Sequence, residues 1–316
     1  MKRITAILSF FIACLMLLGV LSSCAVKKEK KTILCTVFPI YDWTRQILGD
    51  SDAFEVKLLV SDGADLHSFQ PTAKDAINIR TADIIIRVGG LDDSFVDELA
   101  DAGEGIDLRL IEAEGVSVRH MAHSSEHTEN DGHDHAADEH IWLSLKNAAA
   151  CVSAIREALC TADPENAHLY SQGAEEYIKE LSFLDKKYES AVGLADTPRV
   201  IFADRFPFVY LTADYGIEYE AAFEGCSTEA EANFDTVLRL SCQLDNWQCG
   251  CLLVTETSDL KLYEAVRDLA PTRQTELIIL DSMQSVRQND IESGTTYIGI
   301  MEKNLGALAQ ALGIKE

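Results

Sequence analysis

The sequence predicts an α/β protein with two lobes, each holding a parallel four-stranded sheet flanked by helices, and one long spine helix that joins the lobes. Three observations predict this fold. Short apolar runs alternate with amphipathic helical patterns, the alternation starts afresh in the second half of the chain, and one long helical pattern lies between the two series. Roughly 290 residues follow the N-terminal segment, which is enough for two domains with a core each.

The first series predicts an N-terminal lobe at residues 32–162. Its strand candidates are four short apolar runs, Thr32–Phe38, Phe54–Val60, Asp83–Val88 and Ile106–Ile111. Its helix candidates are amphipathic segments at Tyr41–Leu48, Thr72–Arg80 and Ser94–Ala102, with a further helix that carries Ala148–Leu159. Strands that alternate with helices form βαβ units, so the sheet is expected to be parallel.

A linking helix is predicted at residues 163–194. Asp163 can cap it and Pro164 suits its first position, after which apolar residues recur at three- and four-residue spacing as far as Val192. At a rise of 1.5 Å per residue, roughly 29 residues would span about 43 Å. A helix of that length can serve as the spine of both lobes.

The second series predicts a C-terminal lobe at residues 195–316. Its strand candidates are Arg199–Phe202, Ile217–Ala222, Cys251–Thr255 and Leu277–Leu280. Its helix candidates are Phe206–Ala213, Ala232–Leu244 and Lys261–Leu269, followed by a last amphipathic helix with Ile298, Met301, Leu305, Leu308 and Leu312 on one face. No close sequence repeat links the two lobes.

The N-terminal segment has the pattern of a bacterial secretion signal that closes in a lipoprotein box. Two basic residues precede the apolar stretch Ile4–Val20, and Ser22-Ser23-Cys24 follows it. We therefore expect residues 1–23 to be removed, Cys24 to carry a lipid, and residues 24–31 to form a tether at the extracytoplasmic face of the cell membrane. A plain transmembrane anchor is the alternative, but Ile4–Val20 is short for a span of about 20 residues.

The charge balance restricts the partners. The formal net charge is −25, a field that repels polyanions and attracts cations, so nucleic acid is excluded as a partner. Apart from Cys14 and Cys24, seven cysteines remain, at positions 35, 151, 160, 226, 242, 249 and 251. No C-x-x-C spacing occurs, and we read most of them as small buried side chains, with one disulfide involving Cys226 or Cys242 left open.

The segment from His120 to His140 contains six of the chain's eight histidines, mixed with acidic residues. Imidazole is a common ligand of zinc and related metals, and a polar acidic segment raises the local concentration of cations. The histidines predicted to collect metal are His120, His123, His127, His133 and His135. A polar linker without a metal role is the alternative, although ordinary linkers favour Ser, Gly and Lys over His.

Polar side chains that follow the predicted strands supply a second candidate site. Ligands bind beyond the carboxyl ends of parallel strands, where the sequence places His67, Asp204, Glu256 and Asp281, while His140 ends the His-rich segment. His67, His140, Asp204 and Asp281 form an N2O2 set that suits Zn²⁺, Mn²⁺ or Fe²⁺. Glu256 is an alternative metal ligand, or a residue that contacts a ligand without binding the metal itself. Each residue alone could equally be a surface or capping group, and their joint placement favours a metal site.

The motifs around the two histidines are similar to those of a known family. The chain resembles the metal-binding lipoproteins of zinc and manganese ABC importers, the zinc/manganese solute-binding proteins, over essentially all of its length after the signal segment. The family motif D-P-H-x-Y-x-P resembles Asp65–Pro71, and the motif D-P-H-x-W-L-D-P-x-N-A resembles Asp138–Ala148. The spine helix, the two lobes and the His-rich insertion match as well.

The resemblance implies roles for individual residues. His67 and His140 become the ligands from the N-terminal lobe, and Asp281 stands where the family has its final carboxylate. Asp204 departs from the family, which usually has histidine or glutamate after the first strand of the second lobe. A carboxylate there resembles the manganese-type members, whereas the His-rich segment is typical of zinc-type members. Zinc is favoured, with manganese or iron as the alternative.

The function that the resemblance implies is capture and delivery. We expect a monomeric, non-enzymatic protein that binds Zn²⁺ outside the cytoplasm and releases it to an ABC permease driven by its ATPase, with only small motion about the spine helix. A zinc hydrolase with Glu256 as general base is the rival, but the sequence contains no H-E-x-x-H motif, nucleophile elbow or Walker lysine motif. A surface adhesin or passive zinc buffer is a third interpretation, which would not need Asp204 and Asp281.

Overall fold

The computed structural model describes residues 30–61, 63–100, 105–120, 137–223, 225, 233–270 and 275–314. Residues Thr32–Glu316 form one compact unit. The signal segment, Cys24, Cys226 and the histidines at 123, 127, 133 and 135 lie outside the described residues. In the part of the chain that is described, no helix is both long and apolar enough to cross a membrane.

The N-terminal lobe contains a four-stranded sheet in the order β2-β1-β3-β4, in which β1 pairs with β3 and β3 with β4 in parallel. The strands are β1 Lys31–Cys35, β2 Phe54–Leu58, β3 Ile84–Arg87 and β4 Ile106–Arg109. The helices are α1 Phe38–Leu48, α2 Ala73–Thr81, α3 Phe95–Ala100 and α4 Leu145–Ala162. Local chemistry sets some of these bounds: α2 begins in a capping box of Thr72 and Asp75, and the Ser144 hydroxyl caps α4.

A long helix, α5 Ala167–Val192, follows the first lobe. It has 26 residues and begins three positions later than predicted, because Pro164–Asn166 form a 3₁₀ turn. The Asp163 carboxylate accepts hydrogen bonds from the Asn166 side-chain amide at 2.7 Å and from the Tyr170 hydroxyl at 2.6 Å. Asp163 therefore holds the 3₁₀ turn against the start of the helix. Asn166 is the residue that directly precedes the helix.

The C-terminal lobe repeats the architecture with a parallel sheet in the order β6-β5-β7-β8. Its strands are β5 Arg199–Phe202, β6 Glu218–Ala221, β7 Cys251–Thr255 and β8 Glu276–Leu280. Its helices are α6 Val209–Asp214, α7 Phe234–Trp247, α8 Lys261–Leu269, α9 Gln288–Glu292 and α10 Tyr297–Ala311.

Helix α6 begins at Val209 rather than at Phe206 as predicted. The Phe206 backbone is used in an antiparallel bridge to Gly225, and Pro207 precedes the first turn. The predicted start of α7 at Ala232 also moves, because the Asn233 side chain accepts a hydrogen bond from the Thr236 N–H and caps a helix that begins at Phe234. The short helix α9 was not predicted.

One apolar core runs through both sheets and along α5. It joins Ile86 of β3 and Leu253 of β7 through the buried face of α5, which includes Leu181 and Tyr188. The Tyr188 hydroxyl donates to the backbone carbonyl of Met301 at 2.6 Å, which satisfies its polar end inside the core. The two lobes are therefore packed against a shared spine.

Half of the six described cysteines are buried, fewer than the expectation that most of them would be. Cys35, Cys151 and Cys251 are buried free thiols, whereas Cys160 is partly exposed and Cys242 exposed, both also free. Burial raises the pKa of Cys35 to about 12, so this thiol stays protonated and chemically quiet. A disulfide through Cys242 is absent from the described part of the chain, and a pairing through Cys226 lies outside it.

Candidate metal centre

Three loops of the N-terminal lobe, which carry His67, Asp92 and His140, bring these side chains together beyond the carboxyl ends of the strands. His67 lies in a 3₁₀ turn, Leu66–Ser68, that follows β2, and the Asp65 side chain caps that turn by accepting from the His67 N–H at 3.1 Å. Residues 88–94 follow β3 and carry Asp92. His140 directly precedes a second 3₁₀ turn, Ile141–Leu143, which leads into α4.

The two histidines predicted as ligands face each other. Their Nε2 atoms lie 3.1 Å apart, and the centroids of their rings lie 5.2 Å apart. The Nδ1 atom of His67 lies 2.6 Å from Asp92 Oδ2, and that of His140 lies 2.9 Å from Asp138 Oδ1. An imidazole whose Nδ1–H donates to a carboxylate presents the lone pair of Nε2 outward, which is the arrangement that second-sphere carboxylates impose on metal-binding histidines.

This arrangement has an electrostatic consequence. With both Nδ1 atoms donating, two neutral imidazoles direct two acceptor lone pairs at each other across 3.1 Å. Two acceptors are stable at that distance only when a cation, either a proton or a metal ion, lies between them. Two nitrogen ligands at about 2.05 Å from one tetrahedral zinc ion would be about 3.3 Å apart. The pair therefore has the spacing of two ligands to one ion, although longer bonds and a smaller angle give a similar spacing, so it does not select the metal.

The two pairs of a histidine and its aspartate, His140 with Asp138 and His67 with Asp92, are buried to different degrees. Asp138 and His140 are almost completely buried, whereas the side chains of His67 and Asp92 are 19% and 26% exposed. Burial acts to raise the pKa of Asp92, but its hydrogen bond with His67, the charges of both histidines and a contact with Glu139 together hold the pKa below its usual value. Burial, together with the charge of Asp92, raises the pKa of Glu139 to about 7.

In the C-terminal lobe, Asp204 follows β5 as predicted, but its carboxylate is directed into its own lobe. Oδ2 accepts from the Thr255 backbone N–H at 3.0 Å and from the Thr255 hydroxyl at 2.6 Å, and Oδ1 accepts from the Arg205 N–H at 2.8 Å. The side chain that this loop extends toward the N-terminal lobe is Arg205. Its Nη1 lies 3.5 Å from Asp65 Oδ2, and its Nη2 lies 3.4 Å from the Thr257 hydroxyl.

Glu256 and Asp281 form a second acidic group in the C-terminal lobe. Glu256 Oε2 accepts from the Ser282 N–H at 2.8 Å, and Oε1 accepts from the hydroxyls of Ser282 and Ser285 at 2.9 and 3.2 Å. Asp281 Oδ1 accepts from the Met283 N–H at 2.8 Å. Burial, followed by the charge of Glu256, raises the pKa of Asp281 to about 6.

The two groups lie on loops that contact each other. The indole N–H of Trp142, two residues after His140, donates to the Ser282 carbonyl, one residue after Asp281, at 2.9 Å. Among the residues that the structure describes, no three His, Cys, Asp or Glu side chains are arranged to hold a single ion. The structure thus brings His67 and His140 together, and places Asp281 near Glu256 on a loop that contacts the His140 segment through Trp142.

Residues that the sequence reasoning did not single out surround the histidines. Asp92 follows strand β3 and meets the same strand-end criterion that identified His67, but it was not named as a site residue. Asp138 and Glu139 lie inside the motif that identified His140, where their individual roles were not assigned. The sequence signal for Asp138 and Glu139 was their nearness to His140, because contact with residues 88–94, here called the β3 loop, depends on the tertiary structure.

The ends of the His-rich segment pair with each other. His120 and Ala137 form an antiparallel bridge, and the Asp138 N–H donates to the Arg119 carbonyl at 2.8 Å. The Tyr210 hydroxyl donates to the Asp138 carbonyl at 2.6 Å and accepts from the Arg119 N–H at 3.0 Å. The two ends of the His-rich segment therefore lie side by side, next to His140.

A cleft of about 610 Å³ lies between α1 and the α9–α10 connection. The residues that line this cleft do not include the predicted ligands.

Comparisons with known proteins match most of the chain. A family model described as "ZnuA: Zinc-uptake complex component A periplasmic" matches residues 33–311. The zinc-binding lipoprotein AdcA of Streptococcus pneumoniae serotype 4 is 29% identical over 318 residues, which cover 98% of this chain and 61% of AdcA. The high-affinity zinc uptake system protein ZnuA of Bacillus subtilis is 27% identical over 295 residues, covering 92% of this chain and 90% of ZnuA.

A solved structure shows the same likeness. The crystal structure of Zn(II)-bound AdcA from Streptococcus pneumoniae aligns with a TM-score of 0.72 and 26% identity, covering 91% of this chain and 58% of that chain. The chain thus spans about three fifths of the length of AdcA and most of the length of ZnuA.

Proposed function

Because the chain belongs to the family of periplasmic zinc-uptake complex component A proteins, we propose that it binds a divalent metal ion, zinc in preference to manganese or iron, and delivers it to an ABC import permease. Its relatives AdcA and ZnuA are named for zinc binding and zinc uptake, and a related structure holds Zn(II). The protein is then a carrier without catalytic activity, and the ATPase of the transporter drives the import. It acts as a monomer.

The observation that carries the proposal is the pair of facing imidazoles. Each Nδ1 is held by a carboxylate, and the Nε2 atoms lie 3.1 Å apart. The pair therefore has the geometry of two ligands to one cation, with a carboxylate behind each ring. His67 and His140 are therefore the proposed ligands from the N-terminal lobe.

The C-terminal lobe completes the proposed ligand set. Asp281 lies beside the loop of Trp142, and the burial that raises its pKa to about 6 gives a carboxylate that gains from pairing with a cation. Asp204 remains the proposed fourth ligand and Glu256 the competitor. Both carboxylates accept hydrogen bonds from their own lobe, and Asp204 needs a change of side-chain direction to reach the histidines.

Competition titrations with zinc and manganese distinguish these assignments. With Asp204 as ligand, Asp204→Ala weakens both metals, and Asp204→His keeps or tightens zinc while it weakens manganese, because imidazole suits zinc better than a carboxylate does. If Asp204→Ala has no effect and Glu256→Ala weakens binding, the ligand is Glu256. If no variant of the four proposed ligands changes binding, the proposed site is wrong.

The location is proposed from the sequence and the relatives together. Cys24 would carry the lipid that holds the protein at the extracytoplasmic face of the membrane, as the name "lipoprotein" states for AdcA. The histidines at positions 120, 123, 127, 133 and 135 would collect metal near the site, because the segment begins and ends next to His140. Metabolic labelling with a palmitate analogue tests the anchor, and Cys24→Ser is expected to abolish the label.

A further inference from the structure

Glu139 is a buried acid that lies between the segment of His140 and the loop after β3, residues 88–94. It is only 6% exposed and directly precedes His140 in the chain. Its carboxylate is not directed at either imidazole. Oε1 accepts from the backbone N–H groups of Leu91 and Asp92, the latter at 3.0 Å, and Oε2 lies 3.2 Å from the Asp92 N–H.

The loop that Glu139 contacts is shaped to receive it. A Cβ atom added at Gly90 would lie 2.1 Å from Glu139 Cδ and 2.3 Å from its Oε1, which is too close for any side chain. The φ of Gly90 lies outside the positive range, so backbone conformation does not require glycine here. Gly90 is therefore glycine because the carboxylate of Glu139 fills the space beside it.

These contacts connect the two histidines. Asp92, whose N–H is held by Glu139, holds the Nδ1 of His67 at 2.6 Å through its side chain. At the other end, Glu139 is bonded covalently to His140, whose ring is held by Asp138. The Glu139 carboxylate thus connects Asp92, which holds the His67 ring, to the backbone next to His140.

We infer that Glu139 is a positioning residue that fastens the β3 loop to the His140 turn and so sets the spacing of the two Nε2 atoms. The inference rests on the proposed function only in that the spacing matters for holding an ion. Without Glu139, the hydrogen bonds that join residues 91 and 92 to the segment of His140 would be lost, and more of the ordering of the two rings would have to occur when an ion binds.

A double-mutant cycle on zinc affinity tests this. Glu139→Ala is expected to weaken zinc binding about tenfold, in line with the loss of groups that support metal ligands, and Glu139→Gln to recover most of it, because the amide oxygen can still accept from the loop. Gly90→Ala is expected to cause a similar loss by displacing the carboxylate. The double variant Gly90→Ala/Glu139→Ala is then no weaker than either single variant, because both changes break the same contact.

Two controls match these variants. Glu98→Ala removes an exposed acid of the same lobe, and Gly250→Ala adds a methyl where no atom lies within 4 Å, so neither should change zinc affinity. In the Co²⁺-substituted protein, Glu139→Ala should change the visible absorption bands, which report ligand geometry, while a purely structural role would lower the melting temperature and leave the bands unchanged.

The result that overturns the inference is a double variant whose losses multiply to about a hundredfold, or Glu139→Ala with wild-type affinity and cobalt spectrum. A separate readout needs no metal. In the metal-free protein, Glu139→Ala should shift the imidazole ¹⁵N resonances of both His67 and His140, and a shift of His140 alone contradicts the inference. If the wild type binds no zinc, the proposed function fails, and the resonances still decide whether Glu139 positions both rings.

Discussion

The carboxylates behind the two histidines should not contribute equally to metal binding. Asp138 and His140 are almost completely buried, whereas Asp92 and His67 are about a fifth to a quarter exposed. Replacing either aspartate by asparagine keeps the shape but removes the charge that holds Nδ1–H and favours the binding tautomer. Loss of such a partner typically weakens metal affinity by about 10- to 100-fold.

Burial places the two variants at opposite ends of that range. Asp138→Asn is expected to weaken zinc binding about 100-fold, or about 2.7 kcal/mol, because little water is present to screen the pair or replace it. Asp92→Asn is expected to lose about tenfold, or about 1.4 kcal/mol, since water can hydrogen-bond to the partly exposed His67 ring.

Competition with a chromophoric chelator at fixed pH and salt measures both losses, and thermal melts of the metal-free variants show whether the fold is kept. Asp196→Asn, at an exposed position after the spine helix, is the matched control and should bind like the wild type. The reasoning is refuted if Asp92→Asn loses as much as Asp138→Asn, or if Asp138→Asn loses less than about threefold.

Three further predictions follow from the same structure. His67→Ala and His140→Ala should each abolish the stabilisation by zinc, about 2.7 kcal/mol at 100 times the dissociation constant, and a wild-type shift in the melts of both variants would place the site elsewhere. Deleting residues 121–137 should remove weak metal equivalents and spare the tight site, because the proposed ligands lie outside this segment; loss of the tight phase in calorimetry would argue against it. Burial raises the pKa of the fully buried Asp93 to about 6, above its unfolded value, so its contribution to stability is complete below about pH 4 and is lost as the pH rises through 6. Asp93→Asn should therefore gain up to about 3 kcal/mol on the wild type between pH 4 and 7.5, as measured by denaturant melts at both pH values, and an equal difference at both would contradict this sign.

The sequence predicted the fold well, because each element carried its own local pattern. Strands β5 and β7 and helix α8 agree with the predicted bounds, and the other strands differ by one to three residues at an end. The errors came from local chemistry that competes with periodicity. Pro164 starts a 3₁₀ turn before α5, and the bridge at Phe206 delays α6.

The positions of the proposed ligands were predictable only where a sequence motif contains them. His67 and His140 lie together as predicted, whereas the direction of a carboxylate such as Asp204 depends on Thr255, which lies 51 residues further along the chain. The sequence does not show which of Asp204 and Arg205 crosses to the other lobe, because a loop can present either side chain. Glu139 was overlooked for a similar reason, since its partners at positions 91 and 92 meet it only in the folded protein.

The core shared by the two sheets and α5 limits how an ion can leave. Swinging the lobes apart would expose that core, and about 200 Å² of apolar surface costs about 5 kcal/mol, which is comparable to the whole net stability of many domains. Exchange of the ion should therefore proceed by local opening of the loops at the strand ends, with the sheets acting as a fixed frame. In hydrogen exchange, amides of the β3 loop and the Ile141–Leu143 turn should change protection with zinc, while those of β1, β3, β5 and β7 should exchange as slowly with the ion as without it.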